Sequence, residues 1–189
     1  MLAHSFDCQP TLRGTTLTLR ALNQNDLEGM CGAAGDPEIW ASHPAKDRYK
    51  REIFEPYFAS RLSTETALTI IDTQSGKIVG MSSYYTPPDL PHSIAIGFTF
   101  LIRAKWGGAA NRELKQLMVE HAFTVFDIVY FHIAPTNIRS QTATMKLGAV
   151  HLYDAVLNLS TAPQEGKCYG LTKTQWVQSL TASNARPTS

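Results

Sequence analysis

A predicted strand, a loop of mostly small residues and a predicted helix follow one another between residues 93 and 126. In residues 93–102 large apolar side chains alternate with smaller ones, and in residues 111–126 apolar side chains recur at helical spacing. The loop between them, residues 106–111, reads Trp-Gly-Gly-Ala-Ala-Asn. Such a loop lets a ligand approach the backbone closely, and the helix after it offers free N–H groups and a partial positive charge. This order predicts a phosphate-binding element where the strand passes into the helix.

Composition argues against several classes of protein. The chain has 189 residues, 43% of them hydrophobic and 17% charged, which is typical of one globular domain. We expect that domain to cover residues 1–180, with a loose polar tail at residues 181–189. A net charge of +1 gives no basic surface for nucleic acid. The sequence contains no run of about 18 apolar residues, so we expect no membrane span. The first residues lack the basic and apolar regions of a signal peptide.

Cysteine and histidine spacing gives no sign of a metal site. Cys8, Cys31 and Cys168 lie far apart, which favours reduced thiols and a cytoplasmic location. The histidines are likewise scattered, without the paired spacing of metal ligands. We therefore expect no metal.

The remaining pattern predicts an α+β domain. Strands are predicted at residues 15–22, 67–72, 77–85, 93–102, 128–134, 149–159 and 168–171. Helices are predicted at residues 26–34, 47–62, 111–126, 136–147 and 172–180. In the second helix Tyr49, Ile53, Tyr57 and Phe58 are expected to face inward, and Pro56 to kink or divide it. The order favours a mixed sheet of about seven strands with helices on both faces.

Four segments resemble motifs of the GNAT superfamily of acyl-CoA N-acyltransferases, and within it the Rim-type ribosomal-protein N-terminal acetyltransferases. They are residues 12–22 with 26–27, residues 96–101, residues 106–113, and residues 137–140 with 146–149. The similarity extends over nearly the whole chain as far as Trp176. It implies a twisted, mostly antiparallel GNAT-like sheet that is splayed at its central strands.

The resemblance implies acetyl-CoA as co-substrate, bound between the central strand and residues 128–134. The pyrophosphate is expected on the N–H groups of residues 107–111, and the pantetheine arm beside residues 100–102, added like an extra strand. Asn137 is expected to orient the arm, and Ser140 to lie near the sulfur. The residues assigned to coenzyme binding are Phe100, Leu101, Ile102, Trp106, Gly107, Gly108, Ala109, Ala110, Asn111, Asn137 and Ser140.

Amine acetylation needs a base for the protonated amine, a donor for the oxyanion and an acid for the leaving thiolate. Ser140 is the best candidate for the acid; Thr144 is a weaker one and stands where many family members carry Tyr. Relatives often carry, at the position of Ala95, a Glu that can act as general base. Alanine cannot, so His92 or water is expected to take the proton. Thr99 of the central strand completes the catalytic candidates. A missing base favours an amine of low pKa, such as a peptide α-amino group near ~8.

The coenzyme loop departs from the family pattern at two positions. Ala109 stands where the family usually has Gly, which is tolerable only if its backbone is not left-handed. Asn111 stands where Gly or Ala is usual, and it is a good candidate for the cap of the following helix. Arg103 and Lys105 are close enough in sequence to reach the coenzyme phosphates, although exposed basic residues beside a loop are common.

Several motif residues also have a purely structural interpretation. Asn137 and Ser140 are suited to ordinary helix capping, His121 to a hydrogen-bonded core position, and Glu113 to a solvated or capping one.

Three functions follow in order of preference. The first is an acetyl-CoA-dependent N-acetyltransferase for a primary amine, at a protein or peptide N-terminus, by direct attack in a ternary complex. The second is a non-catalytic GNAT-fold module that binds acyl-CoA or a protein. The third is a small-molecule amine or antibiotic acetyltransferase. We expect a monomer or homodimer.

Overall fold

The computed structural model describes residues 6–159 and 163–184, which form eight β-strands and five α-helices. The strands are β1 (Leu12–Arg13), β2 (Leu17–Ala21), β3 (Ala67–Asp72), β4 (Ile78–Tyr85), β5 (Ile94–Leu101), β6 (Ile128–Ile133), β7 (Val150–Leu157) and β8 (Gln164–Thr172). The helices are α1 (Leu27–Ala34), α2 (Arg51–Ser63), α3 (Ala109–Ala122), α4 (Ile138–Met145) and α5 (Lys173–Asn184).

The strands pair in the order β1-β2-β3-β4-β5-β6-β8-β7. The ladders β1–β2, β2–β3, β3–β4, β6–β8 and β7–β8 are antiparallel, whereas β5 and β6 pair in parallel. This confirms the predicted α+β class with a mixed, mostly antiparallel sheet. The strand that was not predicted is β1, because two residues are too few to show a period.

By their internal contacts, the described residues divide into two units. The first unit comprises residues 6–85 and 96–121, and its core brings together apolar side chains of α1, α2 and the central strands. In α2 the buried side chains are Phe54 and Phe58, one helical turn apart. Ile53 was predicted to face inward, but it is 45% exposed, so that prediction was wrong. Pro56 lies inside α2 without dividing it.

The second unit comprises residues 86–95 and 122–184 of the described chain. Its longest strand, β8, pairs with β6 on one side and with β7 on the other. The sequence predicted only residues 168–171 as strand, because apolar side chains mark only the buried part of β8. A loop was expected at residues 161–167, between the last two predicted strands, but residues 164–167 belong to β8. Residues 161 and 162 lie outside the described residues.

The C-terminal helix is longer than predicted. α5 continues to Asn184, so the first four residues of the predicted tail, 181–184, are helical. Residues 185–189 lie outside the described residues. None of the helices described is both long and apolar enough to cross a membrane.

Candidate functional site

The central strand β5 is distorted at Phe98. Its φ is +53°, a value that non-glycine residues, and bulky ones above all, rarely adopt. Before it, Ile94, Ala95 and Ile96 are all buried, whereas Gly97, Phe98 and Thr99 are half-buried. In the part of the chain that the structure describes, the β5–β6 ladder consists of Ile94 with Val129 and Ala95 with Tyr130. Strained backbone of this kind clusters at ligand sites, so the distortion marks β5 as a candidate site.

A chain of polar groups lies beside this distortion. Thr99 Oγ1 and Ser82 Oγ lie 2.7 Å apart and share a hydrogen bond. The Lys115 ammonium on α3 donates to Thr99 Oγ1 at 3.3 Å. Burial lowers the pKa of Lys115 to about 8. Thr99, a predicted site residue, is therefore held in place by groups from β4 and α3.

Sequence reasoning missed Lys115. The signal was its place in the predicted helix: it follows the buried Leu114 and precedes the buried Met118 by three residues, so it lies beside the apolar face. A lysine there must either reach outward or find polar partners inside.

The loop after β5 contains a left-handed glycine. Gly107 has φ +66°, and a Cβ built on it meets nothing within 4 Å. The amides of Lys105 and Trp106 bond to the carbonyls of Ile102 and Arg103. For the next amides, those of residues 107–110, no hydrogen bond to a group outside α3 is found within the described chain. The first N–H groups of a helix also lack partners within it. These amides can therefore donate hydrogen bonds to an anion.

The helix after the loop begins earlier than predicted. α3 starts at Ala109 rather than at residue 111, so Asn111 lies in the first turn and is not the cap. Ala109 is helical, and it is not among the described residues with positive φ. The condition for an alanine at this position, a backbone that is not left-handed, is therefore met.

The basic residues that flank the loop are paired inside the protein. Arg103 forms an ion pair with Asp36, and Lys105 forms one with Asp72. These hydrogen bonds hold the pKa of each carboxyl below its usual range. The loop therefore offers an anion main-chain amides and a helix N-terminus rather than unpaired side-chain charge.

Two backbone groups of residues 100–102, the segment expected to contact pantetheine, are already engaged. The Trp106 indole N–H donates to the Leu101 carbonyl at 2.9 Å, which anchors the loop to the end of β5. The Ile102 amide donates to the Val79 carbonyl at 2.9 Å. Strand-like pairing with a ligand must therefore use the other main-chain groups of this segment.

The second predicted coenzyme motif lies at the start of α4. The amide of Ser140 donates to Asn137 Oδ1 at 3.1 Å, so Asn137 caps the helix. This capping uses the side-chain oxygen and leaves the NH₂ group of Asn137 as a donor. Ser140 is half-buried, whereas Thr144 is buried and 4% exposed. Of the two hydroxyls considered as acids, Ser140 is the more accessible.

The candidate base His92 is exposed in the turn before β5. Ala95, at the position where relatives often carry Glu, is fully buried. Asp89 on the same loop accepts a hydrogen bond from the Tyr153 hydroxyl at 2.6 Å and lies 3.8 Å from His132 Nε2. Burial lowers the pKa of His132, and the charge of Asp89 opposes this only in part. This cluster was not predicted, because its members are distant in sequence.

Two residues for which we considered a structural interpretation have structural contacts. His121 Nε2 lies 2.8 Å from the Asp7 carbonyl oxygen, and its ring lies 4.9 Å from that of Phe6. Glu113 accepts hydrogen bonds from the amide and hydroxyl of Thr16, which ties α3 to the start of β2. Among the described residues, no three His, Cys, Asp or Glu side chains come together as a metal site requires.

Comparison with known proteins defines the class. Residues 16–150 match the family model described as the acetyltransferase (GNAT) domain, so the chain belongs to the GNAT acetyltransferase family. That family uses acetyl-CoA. No curated protein sequence matches the chain.

Solved structures share the fold at low identity. A GCN5-related N-acetyltransferase from Brucella melitensis is 16% identical with a TM-score of 0.79, covering 94% of this chain and 85% of that one. Mycobacterium smegmatis RimJ in complex with CoA-disulfide is 15% identical with a TM-score of 0.64, covering 93% and 94%. Spermidine N-acetyltransferase from Vibrio cholerae, in complex with CoA and spermine, is 18% identical with a TM-score of 0.63, covering 87% and 99%.

Proposed function

We propose that this protein transfers an acetyl group from acetyl-CoA to a primary amine by direct attack in a ternary complex. The observation that carries the proposal is the succession of three features along the chain. They are the distorted strand β5, the left-handed Gly107 and the start of α3, where the amides have no hydrogen-bond partner outside the helix among the described residues. Anions bind at such helix starts because N–H groups and the helix dipole point at them. A Cβ built on Gly107 meets no atom within 4 Å, so the protein leaves space beside this residue.

In this proposal the amides of residues 107–111 bind the pyrophosphate, and the main chain of residues 100–102 binds the pantetheine arm. The thioester supplies an activated acetyl group when the coenzyme is bound. Main-chain N–H groups near Phe98 are the proposed donors to the carbonyl oxygen that becomes negative during attack. Following the family resemblance, the NH₂ group of Asn137 orients the arm. The hydroxyl of Ser140 gives its proton to the departing sulfur and is reprotonated, through water, by the proton that the attacking nitrogen loses as the amide forms.

The acceptor class follows from the missing base. Ala95 has no titratable group, and His92 is exposed in a turn. An α-amino group, with a pKa near ~8, is partly neutral at physiological pH, whereas a lysine side chain near ~10 is almost fully protonated. We therefore propose a peptide or protein N-terminus, or another amine of low pKa, as the acceptor, with water or His92 as the first proton acceptor.

The test is thiol release from acetyl-CoA with two peptides of one sequence. In one peptide only the α-amino group is free, and in the other only a lysine ε-amino group is free. We expect faster release with the α-amino peptide, with a rate that rises toward a pH near ~8. Equal kcat/KM values for the two peptides would contradict the proposed acceptor, and no release with any amine would contradict the transferase.

A second candidate function is acyl-CoA binding without catalysis. The alanine at position 95 and the burial of Thr144 favour it, because both remove groups that assist transfer. Saturable binding of acetyl-CoA, without thiol release across a mixed set of amines, would support this alternative.

A further inference from the structure

Two arginines lie beside aromatic rings next to the distorted part of β5. Arg61 on α2 places its guanidinium carbon 4.1 Å from the centre of the Phe98 ring and 5.9 Å from that of Tyr57. Arg48, in the short 3-10 turn Lys46–Tyr49, places its guanidinium carbon 3.9 Å from the Tyr57 ring and 5.2 Å from the Trp40 ring. Two positive charges therefore share one aromatic ring.

Among the described residues, neither Arg48 nor Arg61 has a carboxylate partner, although three other arginines of the same unit do. Arg20, Arg51 and Arg103 each pair with an Asp or Glu. Across residues 6–159 and 163–184, neither Arg48 nor Arg61 forms an ion pair. The Arg61 Nη2 group donates to the Ser60 hydroxyl at 3.3 Å. Arg61 Nε is buried without a hydrogen-bond acceptor among the described residues.

Among the described residues, the charged groups that shift the pKa of Arg48 include no carboxylate. Burial lowers the pKa of Arg48, and the charge of Arg61 lowers it further, although Tyr57 acts in the opposite direction. Burial raises the pKa of Tyr57, so its hydroxyl stays neutral and cannot act as the counter-ion. Nearby, Nδ1 of His43 accepts a hydrogen bond from the Ala45 amide. Two half-buried positive charges side by side are energetically unfavourable, and an anionic ligand would relieve this cost.

We propose that the acceptor carries, in addition to its amine, an anionic oxyacid group, a carboxylate or a phosphate, that is bound by Arg48 and Arg61. This inference rests on the proposed transferase function. The planar guanidinium binds both groups through paired N–H donors. The contact of Arg61 with Phe98 puts the anion site next to the backbone where acetyl transfer is proposed. The same charges disfavour a polyamine.

The first experiment compares acceptors that differ only in the anion. Glycylglycine is compared with glycylglycinamide, O-phosphoethanolamine with ethanolamine, and spermidine serves as the polycation. We expect kcat/KM to be at least about tenfold higher for the anionic member of one pair. The pair that shows the larger ratio identifies carboxylate or phosphate. Ratios near one in both pairs, or a preference for spermidine, would overturn the proposal.

Variants then assign the preference to the two arginines. R48Q and R61Q are expected to reduce the anionic-to-neutral ratio about tenfold. R51Q is the matched control, since it removes a charge from α2 that pairs with Glu28 and Glu55, and it should keep the ratio. Circular dichroism checks folding, and R61K replaces R61Q if that variant does not fold. An unchanged ratio in R48Q and in the Arg61 variant contradicts the assignment.

A binding measurement separates this inference from the transferase proposal. In protein labelled with ¹⁵N, the Arg61 Nε–H signal is followed as glycylglycine or inorganic phosphate is added. We expect a saturable downfield shift, because an unbonded donor gains a charged acceptor, and no such shift in R48Q at the same ligand concentration. If no amine is acetylated but this shift is seen, the anion site stands and the transferase proposal fails. If neither anion moves the signal, the anion site is wrong whatever the activity.

Discussion

Asp26 is the most heavily bonded carboxylate described in the first unit. Its side chain is 4% exposed and accepts hydrogen bonds from Arg20 at 2.7 Å, from the Thr69 hydroxyl at 2.7 Å and from the Asn23 amide at 3.0 Å. Burial alone would raise the pKa of Asp26, but these hydrogen bonds outweigh it and lower the pKa below its ordinary value. The carboxylate therefore ties the start of α1 to β2 and β3.

Asp26→Asn is expected to lower the free energy of unfolding by about 3 kcal/mol at pH 7, since it leaves Arg20 without its partner. A lowered pKa means that the stabilisation is full above the unfolded value near ~4 and is lost as pH falls through the folded value. Urea unfolding at pH 7 and at pH 3 measures both effects. The surface variant Asp36→Asn is the control, and a loss no larger than that of this control would contradict the structural role.

Lys115 gives a second pH dependence, which has the same sign but lies in an alkaline window. Burial lowers its pKa from 10.5 to about 8, so between these values the unfolded chain binds a proton that the folded chain does not. Stability from this group therefore rises with pH across that window and is constant below it. Lys115→Met should remove this rise. Unfolding free energies of both proteins at pH 7, 9 and 10.5 test it, and identical slopes would show that Lys115 keeps its ordinary pKa when folded.

At the scale of residues, the sequence predicted a loop of small residues before α3 but neither its backbone conformation nor the charge pairs beside it. Two adjacent glycines allow a left-handed conformation, but they do not show which of the two adopts it. The pairing of Arg103 with Asp36 and of Lys105 with Asp72 could not, because the partners are 67 and 33 residues away in the chain. The arginines of the proposed anion site escaped for the same reason.

At the scale of elements, the entry into α3 depends on one backbone conformation. Gly107 has φ +66°, whereas its neighbour Gly108 is not among the residues of positive φ. A Cβ at Gly108 meets only the Trp106 carbonyl, at 3.8 Å. Adjacent glycines thus provide a variant and a control that differ in backbone strain and hardly at all in crowding.

Gly107→Ala is expected to lower the free energy of unfolding by about 1 kcal/mol, because an L-residue pays for the left-handed conformation. Gly108→Ala should be neutral or slightly stabilising, since it restricts the unfolded chain. Paired thermal or urea unfolding measures the difference. Equal stabilities of the two variants would mean that position 107 is not held left-handed in solution.

Elements with a regular pattern were predicted well and irregular ones were not. β3, with bounds at residues 67 and 72, was predicted to the residue, because apolar side chains fill it and a turn follows it. That β5 is distorted at Phe98 could not be predicted from the residue pattern, because Phe98 continues an apolar alternation and nothing in that pattern shows a positive φ. Its ring contacts, with Tyr85 at 5.3 Å and Arg61 at 4.1 Å, come from other segments of the chain.

At the scale of the whole molecule, the order and spacing of the motifs carried the assignment to the GNAT family, which the match over residues 16–150 confirms. The chemical class of the acceptor cannot be predicted from that order. In our proposal its charge is recognised by side chains that the first unit brings together from the 3-10 turn before α2, from α2 and from β5. Those contacts exist only in the folded chain, so the sequence could not indicate the charge of the acceptor.

The central claim is that the main-chain amides before and within the first turn of α3 bind the diphosphate of acetyl-CoA. The direct measurement is the titration of ¹⁵N-labelled protein with acetyl-CoA, following the amide signals of residues 107–110. We expect saturable downfield shifts of these signals, because each open N–H gains a charged acceptor. Saturable binding that leaves these four signals unmoved, or no binding at all, would contradict it.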